Sequence, residues 1–226
     1  MSFFKDALSI FKKSELVFIE KVKESEKVYS FLFEKDQDLT WKSGQHGLLT
    51  ITHKKVKNGT KPFTISSIPS EGVVRVTTQI GDTTSEFKRA LLELEPGMKI
   101  SMSGPVGSFY LKEESPALFI AADIGITPFR AIIKQIEGEN IGKQVKLLYL
   151  DSDNMHIYKE DFKNVDVDFI TTKEQLLQEL NAFTEKHKEN GQYFVAGSKD
   201  AVNMVVEHLK SNNIAKRNIK KDVFVG

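Results

Sequence analysis

Ala117-Leu118-Phe119-Ile120-Ala121-Ala122-Asp123-Ile124-Gly125-Ile126-Thr127-Pro128 is the stretch that decides the fold. Residues 117–121 form an unbroken apolar run, as a strand buried on both faces of a parallel sheet does. Behind it, Thr127 is a good N-cap and Pro128 suits the first helical position. Gly125 allows a tight turn between the two and a close backbone approach to a ligand. A helix starting at the carboxyl end of a parallel strand is a natural seat for a pyrophosphate. The alternation continues with helix 127–137, strands 144–150 and 165–171, helix 173–189, strand 192–196, helix 198–212 and a short strand at 222–225. It predicts a doubly wound α/β domain with a parallel sheet over residues 115–226.

Upstream the pattern is different. Segments 16–23, 27–34, 47–52, 62–68, 73–80 and 98–103 are short, rich in Val, Ile, Phe and Tyr, and separated by turns such as Lys42-Ser43-Gly44-Gln45 and Pro69-Ser70-Glu71-Gly72. Thr83-Thr84-Ser85-Glu86 reads as a capping box that opens one helix through Glu93, with Pro96-Gly97 closing it. Six short strands and one helix predict an antiparallel β-barrel over residues 14–114. Residues 1–13 place Phe3, Phe4, Ala7, Leu8 and Phe11 on one helical stripe. The plainer reading is a short helix packed on the body or on another copy. The sharper one is contact with a membrane surface or a partner through Lys5, Lys12 and Lys13.

Composition narrows the chemistry. The chain has 226 residues, 32 Lys plus Arg against 31 Asp plus Glu, and a formal net charge of +1. A nucleic-acid binder needs a clustered basic face, and no apolar run is long enough to span a bilayer. There is no cysteine, which excludes disulfides, thiol nucleophiles and cysteine-held clusters. His46, His53, His156, His187 and His208 lack metal-ligand spacing, so no metal is expected. Lys5 and Asp6 interrupt any secretory pattern, and the expected compartment is the cytoplasm. Arginine occurs only at 75, 89, 130 and 217, so a bound phosphate must rely on lysine, hydroxyls and backbone N–H groups.

Five local motifs stand in a telling order: Lys61-Pro62-Phe63-Thr64-Ile65-Ser66, Gly81-Asp82-Thr83-Thr84-Ser85, Gly104-Pro105-Val106-Gly107-Ser108-Phe109, Asp123 to Pro128, and Ala196-Gly197-Ser198. Each alone reads equally well as a strand, a cap or a turn. Together, in this order, they resemble the ferredoxin–NADP reductase superfamily over nearly the whole chain, from about residue 14 to the end. That family joins a flavin-binding barrel to a pyridine-nucleotide domain. Its Arg-x-Tyr-Ser/Thr is matched by Lys61, Phe63 and Thr64, and its Gly-x-x-Ser/Thr by Gly81 and Thr84. Its Gly-Pro-x-Gly-x-Phe is intact at 104–109. Its Gly-x-Gly-x-x-Pro appears with Asp123 for the first glycine, and its Cys-Gly-Pro as Ala196-Gly197-Ser198.

The resemblance implies FAD on Lys61, Pro62, Phe63, Thr64, Ile65, Ser66, Thr78, Gly81, Thr83, Thr84 and Ser85. Lys61 would face the pyrophosphate, Phe63 would stack on the isoalloxazine, and Thr64, the catalytic candidate, would offer its hydroxyl or N–H to flavin N5. It implies a nicotinamide nucleotide on Gly125, Ile126, Thr127, Pro128, Asp151, Ser152, Ala196 and Gly197. The implied reaction is hydride transfer from NAD(P)H to FAD, then electron release to a separate acceptor: a ferredoxin, a flavodoxin, a haem protein or a ferric chelate. Two alternatives stay open, a flavin reductase using free flavin as substrate and a non-catalytic flavin-binding protein.

Four departures from the family pattern bear on this. Lys61 cannot form arginine's bidentate phosphate contact. Phe63 lacks the hydroxyl of tyrosine, and Ala196 replaces a cysteine near the nicotinamide. Asp123 brings a carboxylate to the nucleotide loop, where it either repels phosphate or caps its own turn. Asp151-Ser152-Asp153-Asn154, after the second parallel strand, offers aspartates and no arginine, which favours NADH slightly over NADPH.

Overall fold

The computed structural model describes residues 12–111, 115–139 and 144–224. The apolar stripe at the N-terminus up to residue 11 and the expected domain boundary at residue 114 lie outside the described residues. The chain divides into two compact units, Met1–Tyr110 and Leu111–Gly226.

The first unit contains strands β1 (Lys13–Lys23), β2 (Val28–Glu34), β3 (His46–Ile51), β4 (Thr60–Thr64), β5 (Val73–Gln79) and β6 (Lys99–Val106), with one helix, α1 (Glu86–Leu92). The antiparallel sheet runs β4-β3-β6-β1-β2-β5. Its two outer strands meet: Ile65 bridges Val76, and the Ser66 N–H donates to Arg75 O at 2.8 Å. This closes the sheet into the expected barrel. Alternate residues fill the interior, among them Leu16 and Phe18, Phe31 and Phe33, Leu49 and Ile51, Val74 and Val76, Ile100 and Met102. Phe33 faces Val74 across the β2–β5 pair and meets Phe18 edge-on at 5.6 Å. Each such buried aromatic contributes roughly 1.5–3 kcal/mol.

Two local expectations shift. The strand expected over 62–68 ends at Thr64. Beyond it, Ser67 leaves the ladder to bond the backbone of Val73 and Arg75 through its hydroxyl, while its carbonyl accepts the Trp41 indole N–H at 2.8 Å. The cap of α1 is Ser85, whose Oγ accepts the Lys88 N–H at 3.3 Å; the helix starts two residues later than expected, with a simple N-cap in place of the capping box, because N3 is Lys88 and returns no bond.

The second unit contains β7 (Ala117–Ala122), α2 (Thr127–Gly138), β8 (Val145–Leu150), β9 (Asp166–Ile170), α3 (Lys173–His187), β10 (Gln192–Ser198), α4 (Lys199–Ser211) and β11 (Ile219–Phe224). All strand pairs are parallel, in the order β11-β10-β7-β8-β9. Every residue of the central β7 is buried. Leu118 and Ile120 pack with Leu176 and Leu180 of α3 and with Val202, Val205 and Leu209 of α4. Phe119 stacks instead on Phe129 of α2 at 5.0 Å. Helices thus cover both faces, and the strand order reverses between β7 and β10. Ligands of such sheets bind at this point, outside the carboxyl ends of the strands.

The start of α2 differs from the expectation. A short 3-10 turn, Asp123–Ile126, runs directly into the helix, and the cap position belongs to Ile126. The Thr127 hydroxyl donates to Ile124 O at 3.2 Å instead of accepting an amide. The preceding turn puts a carbonyl within its reach, and that bond displaces the cap.

Candidate functional site

In the barrel unit, β4 carries Lys61 and Pro62 exposed, Phe63 half-buried and Thr64 buried. The Phe63 ring stacks on Phe87 of α1, with centroids 5.6 Å apart and planes 25° apart. That contact brings the first motif against the helix that follows the second. Gly81, Asp82, Thr83 and Ser85 are exposed along the same connection. The Thr84 hydroxyl donates to Gly81 O, and the Arg89 guanidinium donates to Thr84 O at 2.5 Å, which fixes the turn. Thr78, on β5, is buried, as are Ile65 and Ser66. The barrel closure therefore gathers both motifs at one seam.

Thr64 Oγ1 is buried and has no hydrogen-bond partner among the described residues. A buried hydroxyl left unpaired costs roughly 1–3 kcal/mol, so its position asks for an acceptor or donor from outside the chain. This is the observation by which the residues fit a flavin. An aromatic ring, an exposed cation at Lys61, the Gly81–Thr84 turn and a hydroxyl unpaired among the described residues follow one another along the seam. Lys88, half-buried on α1, has its ammonium pKa lowered by desolvation.

Sequence reasoning missed the latch behind this seam. The Gln45 side chain accepts the Lys42 N–H at 2.9 Å and donates to Gly107 O at 3.1 Å, and Gln45 O accepts the Ile65 N–H at 3.0 Å. One glutamine ties the 42–45 turn, the end of β4 and the Gly-Pro-x-Gly-x-Phe segment together. A polar residue in a turn carries no sequence signal for such a role.

In the second unit the ends of three strands converge. A Cβ built on Gly125 would lie 2.2 Å from Ala196 O and 2.7 Å from Gly197 N. The backbone of β10 by itself therefore requires a glycine here. Gly197, with φ +152°, is packed the same way against Ala122, whose Cβ would stand 2.9 Å from an added Cβ. Ile126, Thr127, Pro128 and Ala196 are buried. They lie at the carboxyl ends of β7 and β10, while Ser152 is exposed after β8.

Asp123 stands with φ +50° where the family motif has its first glycine. Asp is among the few side chains that tolerate this region. Its carboxylate does not cap its own turn, the milder of the two sequence readings. Oδ1 accepts the Ser152 N–H at 3.1 Å, from the loop after β8. Burial raises its pKa, the Ser152 amide pulls it back, and the negative charges of Asp153 and Asp151 raise it further.

Asp151 is 1% exposed, and its two oxygens accept the amides of Met155 at 2.9 Å and His156 at 2.7 Å. It is therefore turned into the protein to hold its loop, not out toward a ribose as the sequence suggests. Beside it, burial and then the charges of Asp151 and Asp123 push the Tyr149 hydroxyl pKa upward. Phe169, exposed on β9, is flanked by His156 edge-on at 5.4 Å and by the Lys159 ammonium at 5.9 Å. Among the described residues no cluster of His, Cys, Asp or Glu could hold a metal ion, and no helix is long and apolar enough to cross a membrane.

Residues 13–110 match the oxidoreductase FAD-binding domain family. The chain is 30% identical over 93 residues to the toluate 1,2-dioxygenase electron transfer component of Pseudomonas putida, covering 40% of this chain and 27% of that protein. It is 30% identical over 140 residues to a probable dihydroorotate dehydrogenase B electron transfer subunit of Methanocaldococcus jannaschii, covering 58% of this chain and 49% of that one. The chain spans half or less of the length of these curated relatives. In fold it matches a ferredoxin–NADP+ reductase from Plasmodium falciparum with a TM-score of 0.83 at 13% identity, over 97% of this chain and 99% of that one. Residues 13–110 thus carry the match to an oxidoreductase FAD-binding domain, and the fold of the whole chain, an antiparallel barrel followed in sequence by a doubly wound sheet, is that of a ferredoxin–NADP+ reductase.

Proposed function

We propose that the protein is an FAD-dependent NAD(P)H oxidoreductase that delivers electrons to a separate acceptor. The unpartnered Thr64 hydroxyl at the barrel seam carries the reading, since it is a buried polar atom that a flavin would satisfy. FAD, when bound, supplies the chemistry: it takes a hydride from the nicotinamide and releases electrons onward. The chain's own residues bind and orient. Lys61, which makes no ion pair among the described residues, meets the pyrophosphate together with the exposed Thr83–Ser85 turn. Phe63, backed by Phe87, gives the ring an apolar wall. Thr64 Oγ1 would offer a hydrogen bond at flavin N5.

In the second unit, Gly125, Ile126, Thr127, Pro128, Ala196 and Gly197 shape the crevice for the nicotinamide nucleotide, and the exposed Ser152 lies on its ribose side. Asp151 takes no part in binding in this reading. The names of the curated relatives, electron transfer component and electron transfer subunit, support delivery to a partner. The acceptor is a ferredoxin, a flavodoxin, a haem protein or a ferric chelate, and the working compartment is the cytoplasm. A second reading, a flavin reductase with free flavin as substrate, draws support from the exposed Lys61, which offers a single charge where an arginine would grip twice.

An anaerobic visible spectrum tests both. The protein, supplemented with FAD, is mixed with NADH and then NADPH. Bleaching of the flavin band that stays with the protein on gel filtration supports the first reading. Turnover only of added, freely exchanging flavin supports the second. A bound flavin that neither nucleotide bleaches defeats both.

A further inference from the structure

The Asp123 carboxylate lies where a phosphorylated ribose would compete with it. In a doubly wound sheet the adenosine ribose approaches the end of the second strand in the chain order of its domain. Here that is the end of β8, residues 151–154. The amide of Ser152 is the donor this loop turns outward beside the exposed hydroxyl-bearing side chain, and Asp123 Oδ1 already holds it at 3.1 Å. The contact joins the loops after β7 and β8 and holds the carboxylate against the second loop.

The other charges around the loop are accounted for. Asp151 is buried and bound to two amides, and its Oδ2 lies 3.6 Å from His156 Nδ1. Asp153 is exposed. Lys159 rests its ammonium over Phe169, on the outer side of β9. No arginine lies in the 151–159 segment. A ribose hydroxyl can approach this arrangement as a donor to a carboxylate. A phosphate dianion meets Asp123 at the amide it needs, with Asp153 beside it.

We propose that Asp123 is a specificity-determining residue: an internal anion that occupies the Ser152 amide and so selects the unphosphorylated nucleotide, NADH, against NADPH. The inference rests on the oxidoreductase reading above and goes beyond it, because the nucleotide loop of the family pattern has a glycine at this position and so has no such group.

The test is equilibrium binding of two redox-inert probes, ADP-ribose and 2′-phospho-ADP-ribose, to the full chain by titration calorimetry. Wild type, Asp123→Asn and Asp123→Gly are compared. Asn keeps a side chain suited to positive φ and removes the charge; Gly removes both charge and acceptor and restores the family pattern. The wild type is expected to favour ADP-ribose, and each variant to shrink that preference about tenfold, the scale of one partly exposed charge pair. A ratio between the two probes cancels any general loss of fold, which lowers both affinities together. Raising the salt concentration should narrow the wild-type preference and leave that of the variants nearly unchanged. An unchanged ratio in both variants, with ADP-ribose still bound, overturns the role of Asp123 and leaves the oxidoreductase reading standing. Failure of the wild type to bind either probe overturns that reading and this one with it.

Discussion

Gly125 is packed against the carbonyl of Ala196 so closely that an added Cβ would sit 2.2 Å from its oxygen. The obstacle is backbone of a central strand, and it cannot rotate away. Gly125→Ala should therefore destabilise the second unit by about 2–3 kcal/mol, the upper part of the range for overpacking. Chemical denaturation followed by circular dichroism measures it. A loss below about 0.5 kcal/mol would mean that the turn slides freely and that the contact sets nothing.

Thr64→Val separates folding from binding at the barrel seam. The Thr64 hydroxyl has no partner among the described residues, so its removal should leave the thermal midpoint of the flavin-free protein unchanged or slightly higher. Flavin affinity should fall about five- to tenfold, the worth of one hydrogen bond. Fluorescence titration with FAD and a thermal scan are the two measurements. Lower stability with unchanged flavin affinity would assign the hydroxyl to the fold alone.

Lys61 is exposed and free of ion pairs among the described residues, so its substitution tests binding with little effect on folding. Lys61→Ala should weaken FAD retention by roughly ten- to a hundredfold, as expected for losing a charge-assisted bond. Lys61→Arg should tighten it several-fold by offering a bidentate fork. The ratio of flavin to protein absorbance after gel filtration reports both. Equal ratios for Lys, Arg and Ala would place the pyrophosphate elsewhere.

Asp123 should also leave a mark on the pH dependence of stability. Burial raises its pKa above the unfolded value of about 3.9, so the folded state binds its proton more tightly than the unfolded chain does. The sign follows: its contribution is most favourable below pH ~4 and is lost as pH rises through the folded pKa. Asp123→Asn keeps the positive-φ geometry and removes the charge. Its thermal midpoint should exceed that of the wild type at pH 7, and the gain should vanish toward pH 4. A gain that grows as the pH falls would reverse the assignment.

Much of this architecture is legible in the sequence because burial and turns leave local marks. The apolar run 117–121 reads as a doubly covered strand, and the strand Ala117–Ala122 is buried throughout. The turn residues between Lys42 and Gly97 punctuate the barrel strands correctly. The failures have a common cause: they concern partners distant along the chain. An aspartate at the end of a strand looks the same whether it faces a ligand or, as with Asp151, two amides of its own loop. Gly125 signals a close approach, but not that the neighbour is β10. Thr127 has the chemistry of a cap, and only the 3-10 turn before it shows why its hydroxyl points backward.

The seam between β4 and β5 has a wider consequence. A barrel of six strands has no edge to offer a neighbouring chain, provided that its last joint stays shut. Here, among the described residues, that joint includes the Ile65–Val76 bridge, the Ser66 amide and hydroxyl on Arg75 O, and two bonds through Ser67 Oγ. The proposed flavin residues, from Lys61 to Ser66, lie along that same joint. A dinucleotide bound there, as proposed, would act as a clasp on a zip fastener, and loading the cofactor would favour the sealed barrel over self-association.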